Sequence, residues 1–201
     1  MILSTAWFPP VEWFSVLAAN DSVYLEACES YRKQTWRNRC RILTANGPMD
    51  LRVPVIHDGA RLITDIRIDW TTPWLRQNLY AIDSAYYSSP FFVYYRDELF
   101  GLLERQPELL WDMNLGLIDF FCRKIGIAPR IIPTSDFARD AADDLRDAFS
   151  PKRPCQNTVK PYWQVFRERF GFVPGLSVMD LLFNEGPESL AYLRSSSCAG
   201  R

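Results

Sequence analysis

Strand-like and helix-like patterns are segregated along this chain: the strand signals fall before residue 70 and the helix signals after it. An apolar start, Met1 to Trp7, reads as a short buried strand that Pro9-Pro10 ends, because proline offers no ladder donor. Val11 to Ala19 places Trp13, Phe14, Leu17 and Ala18 near helical spacing, and Val23-Tyr24-Leu25 reads as a second strand. Strand, turn, helix and strand in that order form a βαβ-like opening. Arg39 to Ala45 and Met49 to Ile56 flank Asn46-Gly47, a strong hairpin signal, and Pro54 marks an edge or a bulge. Ile63 to Trp70 reads as a further strand, with Ile66 and Ile68 on one face and Asp65, Arg67 and Asp69 on the other.

The remainder carries helical periods. Thr72-Pro73 is a start signal, followed by Leu75, Leu79, Ile82 and Tyr86 in one stripe. Ser89-Pro90 opens the next helix, and Pro107 to Ile125 forms a third that Gly126 stops. Asp136 to Phe149 reads as a helix with Phe137, Ala141, Leu145 and Phe149 on one face. Ser177 caps the last helix, with Asp180 in the capping-box place, and Gly186-Pro187 breaks or kinks it. The expected fold class is α/β, a mixed sheet formed mainly by residues 1–70 and packed by helices mainly from residues 72–195. A single domain over 1–201 is expected, with 150–158, which holds Pro151 and Pro154, as a linker candidate before a C-terminal helical segment.

A chain of 201 residues with 48% hydrophobic side chains can bury roughly 70% of its unfolded surface without a metal or disulfide. Its five cysteines include no CxxC pair, so free thiols in a reducing compartment are expected, and no signal peptide or apolar span is visible. These features point to the cytoplasm. A net charge of −1 argues against a dedicated nucleic-acid binder.

Against that neutral total, residues 28–41 carry Arg32, Lys33, Arg37, Arg39 and Arg41 against Glu29 alone. Two readings fit. Arg37, Arg39 and Arg41 alternate as the outer face of a solvated strand would. Alternatively the segment binds an anionic small molecule: Lys33, Arg37 and Arg39 hold the anion, Tyr31 or Trp36 stacks, and Gln34 and Asn38 orient polar groups. Arg39 is expected to point inward toward a pocket and there to meet a carboxylate or a bound anion, with Asp65 or Asp69 as candidate partners. His57, the one histidine, precedes an Asp58-Gly59 turn and reads as an exposed loop residue rather than a base. Asp65 and Asp69 read as a solvated face rather than a metal site, and Asp136, Asp140, Asp143 and Asp147 as the solvent side of a helix. Tyr86 to Phe92 is an aromatic corner explained by packing. No GxGxxG, Walker loop, GxSxG or HExxH occurs, so no cofactor and no metal is expected.

The blocks LSTAWFPPVEWF, YRKQTWRNRCRI, LRVPV, SAYYSSPFFVYY and LSVMDLLFNEGPES together resemble the WbqC-like family, in family order and over about residues 2–190, with WRNRCRI and LSVMDLLFNEGPE closest to a subgroup of Bacteroidetes-type bacteria. The resemblance implies a surface-polysaccharide (O-antigen-type) gene context. It also implies transfer of an aminoacyl or acyl group to an amino sugar or nucleotide sugar, or else a non-catalytic binding role in the same pathway. The family pattern falls on Lys33, Gln34, Trp36, Asn38, Arg39, Arg41 and Ile42, which favours the binding reading of this segment. Two departures stand out. Asn78 occupies the place where many relatives have a histidine, in Trp74-Leu75-Arg76-Gln77-Asn78, and an amide cannot titrate near neutrality. Stretch 136–149 is acidic where relatives show a Gly- and Tyr-containing loop.

Overall fold

The computed structural model describes residues 1–139, 141, 143–152 and 160–196. Strand β1 (Ile2–Ser4), helix α1 (Val11–Ala18) and strand β2 (Ser22–Glu26) form the expected βαβ opening, with β1 and β2 parallel. The third strand of this sheet, β5 (Arg130–Pro133), comes from much later in the chain and pairs parallel to β2, giving the order β1-β2-β5. Strands β3 (Arg39–Thr44) and β4 (Gly47–Arg52) form a separate antiparallel hairpin. Small parallel sheet, hairpin and helices together make the expected α/β class.

Helices α2 (Trp74–Tyr86), α3 (Phe92–Glu104) and α4 (Leu110–Ile125) follow the sequence periodicity, and α4 ends on Gly126 in the left-handed region at φ 84°. Its core face, Leu117, Ile118, Phe120 and Phe121, is fully buried, and Phe121 meets Phe8 and Phe14 edge-on. Three short helices, α5 (Arg167–Phe170), α6 (Val178–Glu185) and α7 (Ser189–Ser195), complete the chain, with α7 against α1 and α6 against α3. No helix among the described residues is long and apolar enough to cross a membrane. Cys28, Cys40 and Cys122 are free thiols; Cys155 and Cys198 lie outside the described residues, as do residues 153–158 of the linker candidate 150–158.

Two expected elements do not form. Ile63–Trp70 is not a strand: Ile63–Asp65 is a 3-10 turn, and the extended residues after it bond to two different segments. Ile68 donates to the Glu108 carbonyl while Asp69 donates to Pro54, and Ile56 donates to Arg67. Ile66 and Ile68 still bury on one face, so the period-2 pattern records burial, not a ladder. None of the described residues of 136–149 is helical. The backbone there runs beside β1, with Ile2 donating to the Asp143 carbonyl and Leu145 donating to Ile2. Arg146 fixes this path: it reaches Glu26 at 2.8 Å, Asp144 through Nε at 2.9 Å, and the Ala138 carbonyl at 2.6 Å. Competing long-range bonds of a buried guanidinium outweigh a modest local helix preference. Of the supposed acidic face, Asp140 lies outside the described residues, and Asp147 pairs with Arg32.

Ser177 caps α6 as expected, accepting from the Met179 N–H. Asp180 departs from the capping-box role. It is buried, and it accepts from the Tyr162 hydroxyl at 2.7 Å and from Gln164 Nε2 at 3.2 Å, with no ion-pair partner among the described residues. Burial lifts its carboxyl from an ordinary value near 3.8 to about 6. A carboxyl raised in the folded state supports folding while protonated, below its ordinary value, and that support is lost as pH rises through about 6. Asp180→Asn keeps the acceptor oxygen and never ionises. It is expected to match the wild type near pH 4 and to exceed it above pH 7, approaching about 3 kcal/mol for a shift of roughly two units. Urea unfolding across that range checks this, and a difference that does not change with pH would contradict it.

Candidate functional site

Three segments meet at a cavity of about 650 Å³. The turn 31–39 forms one wall, β4 and the residues after it a second, and the first turn of α2 the third. The hairpin register sets Arg39 directly opposite Arg52 and Arg41 opposite Asp50. Five of the seven residues singled out from the sequence line this cavity: Tyr31, Lys33, Gln34, Asn38 and Arg39. Asn78 is there as well, buried, its amide donating to the Arg52 carbonyl at 2.9 Å. Gln34 adopts φ 59°, a left-handed conformation costing a non-glycine residue about 1 kcal/mol.

The other two face elsewhere. Arg37 is not on a solvated strand face. Its side chain is 4% exposed, donates through Nε to Glu29 Oε1 at 2.8 Å, and donates through Nη2 to Glu29 Oε2 and to Ser4 Oγ. Its cation is neutralised inside the core. Trp36 is buried and opens on a smaller cavity of about 230 Å³ beside Glu12 and Phe149, with the Arg41 guanidinium 5.6 Å above its ring. Stacking by Trp36 on a ligand held at Arg39 is therefore not supported; Tyr31 and Trp74 are the aromatic walls there.

Ion pairing sorts the basic residues. Arg32 pairs with Asp147, Arg37 with Glu29, and Arg41 with Asp50 through bonds of 2.7 and 3.1 Å. Lys33, Arg39 and Arg52 have no carboxylate partner among the described residues, and all three line the 650 Å³ cavity. Asp65 and Asp69 do not pair with Arg39: Asp65 accepts from the Thr64 hydroxyl, and Asp69 from the backbone and hydroxyl of Thr71. The only carboxylate in the lining, Asp50, is already held by Arg41. The phenol of Tyr31 is pushed above its ordinary range by burial, opposed by the charges of Arg39 and Arg37. A cavity with three uncompensated cations is a place for an anion.

Arg52 and Gln77 also line it and were not among the sequence candidates; His57, read from the sequence as an exposed loop residue, is exposed and lines it too. Arg52 was legible as the exposed side of an alternating strand, but only the hairpin register brings it opposite Arg39. Gln77 carries no motif and is brought in only by the first turn of α2.

Residues 5–158 match the model of the WbqC-like protein family, and the chain belongs to that family. It is also similar to the uncharacterized protein Rv1507c of Mycobacterium tuberculosis (strain ATCC 25618 / H37Rv), 27% identical over 227 residues that cover 96% of each chain. No solved structure matches it.

Proposed function

We propose that the cavity binds an anionic sugar derivative such as a nucleotide sugar, and that the protein acts in cell-surface polysaccharide biosynthesis. The reaction would transfer an aminoacyl or acyl group to an amino sugar or nucleotide sugar. The observation that carries the reading is the convergence of Lys33, Arg39 and Arg52, each without a carboxylate partner, on one cavity. Arg39 presents a planar fork suited to two oxygens of a phosphate, Lys33 and Arg52 add charge, and Asn78, Gln77 and Asn38 supply polar groups for hydroxyls. Family membership supports the pathway, and the cavity supports the ligand class.

A second reading, a non-catalytic binding protein of the same pathway, is favoured by the exposed Tyr80, Tyr87, Val93 and Tyr94 of the α2–α3 region and by the amide at position 78.

A thermal-shift panel of nucleotide sugars, nucleotides and neutral sugars tests the reading. A ligand that binds the folded state raises the melting temperature by mass action. Nucleotide sugars are expected to stabilise the wild type, and Arg39→Gln to weaken that response at least ~10-fold in midpoint, equivalent to about 1.4 kcal/mol. A flat response across the panel would sink the reading.

A further inference from the structure

We propose that His57 contacts the ligand bound in this cavity; this rests on the cavity reading above. Four observations lead there. His57 is the chain's single histidine, and it lines the cavity with Arg39, Arg52 and Asn78. Its backbone is held on both sides. Before it, Ile56 donates to the Arg67 carbonyl at 2.9 Å and Val55 bridges Ile68. After it, Asp58 accepts from the Ala60 N–H at 3.1 Å and from Arg67 Nε at 3.1 Å. The Arg67 pairing keeps the Asp58 carboxyl below its ordinary range, so this clamp stays ionised at neutral pH. Finally, the imidazole has no hydrogen-bond or ion-pair partner among the described residues: the carboxylate next to it is committed to Arg67.

The imidazole is exposed, so both nitrogens are open to solvent and to a ligand, unlike those of a packing histidine, which spends at least one nitrogen on the protein. Among the cavity's other groups, Lys33, Arg39 and Arg52 carry donors only, and Asn38, Gln77 and Asn78 are amides. Asp50 is held by Arg41, and burial lifts the Tyr31 phenol out of reach. His57 offers one ring nitrogen that can accept from a ligand hydroxyl or amine and one that can donate to a phosphate oxygen, from the wall formed by the chain after β4.

A single histidine makes the test direct. UDP-glucose is titrated into the wild type while the imidazole signals are followed by NMR, with His57→Gln to assign them and with the melting temperature read on the same samples. The expected result is a saturable displacement of the imidazole signals whose midpoint coincides with that of the thermal shift, and its loss in Arg39→Gln. Stabilisation by UDP-glucose with the imidazole signals unmoved would overturn the role of His57 and leave the cavity reading standing. Neither stabilisation nor displacement by UDP-glucose, together with a flat thermal-shift response to every other nucleotide sugar of the panel, would overturn both.

Discussion

Arg37→Ala is expected to lower stability by about 3–5 kcal/mol, the range for removing one partner of a buried ion pair. The effect comes less from lost attraction than from what is left behind. Glu29 is 4% exposed in its side chain, and with Arg37 gone its carboxylate keeps only the Ser4 hydroxyl, which donates at 2.9 Å. Arg37 also ties three segments, reaching Ser4 at the end of β1 while its own carbonyl accepts from Asn114 of α4 at 2.9 Å. Against a total stability of roughly 5–15 kcal/mol such a loss is large. Glu29→Gln added to Arg37→Ala should recover part of it, since the stranded charge disappears. Urea unfolding of the two variants measures both quantities. A loss below about 1 kcal/mol for Arg37→Ala would mean the pair behaves like a surface salt bridge. Arg39→Ala is expected to change stability far less, because no carboxylate depends on Arg39.

Gly186→Ala carries the second large effect, about 3 kcal/mol from strain and overpacking together. Gly186 takes φ 50°, where a side chain is strained, and a Cβ there would stand 2.5–2.7 Å from three ring atoms of Phe91. The Phe91 backbone that carries the ring is itself anchored, its N–H donating to the Phe183 carbonyl at 3.0 Å. The turn from α6 into α7 and the start of α3 would have to separate. A thermal melt of Gly186→Ala against Gly101→Ala, a helical position with open space around its Cβ, isolates the contact. Equal melting temperatures would contradict it.

These two positions show how far the sequence could be read. The block LSVMDLLFNEGPE is among the most recognisable in the chain, yet its residues serve packing. Ser177 caps α6, Asp180 closes a buried hydrogen-bond group, the Asn184 amide donates to the Asp180 carbonyl at 2.8 Å, and Gly186 admits Phe91. Within WRNRCRI the arginines look alike, and only the tertiary pairing separates Arg37, neutralised in the core, from Arg39, left free in a cavity. No local pattern encodes which cation meets Glu29. The βαβ opening and the first three long helices were legible because hydrophobic period and proline or glycine punctuation agree there. The hairpin was legible as well, but its turn sits on Ala45-Asn46 with the positive φ on Gly47, one residue before the Asn46-Gly47 position. That single step matters: a turn centred on Asn46-Gly47 would set Arg41 opposite Arg52, whereas the actual register gives Arg41 its partner Asp50 and leaves Arg39 and Arg52 together at the cavity. Strand β5 was missed because four residues between a glycine stop and an irregular segment carry too little periodicity to identify.

Crystals grown with a nucleotide sugar decide whether this cavity binds it. Density for the diphosphate is expected against Lys33, Arg39 and Arg52, with the sugar toward His57 and Asn78. Density in the Trp36–Glu12 cavity instead, or a protein that binds the ligand equally well as Arg39→Gln, would contradict it.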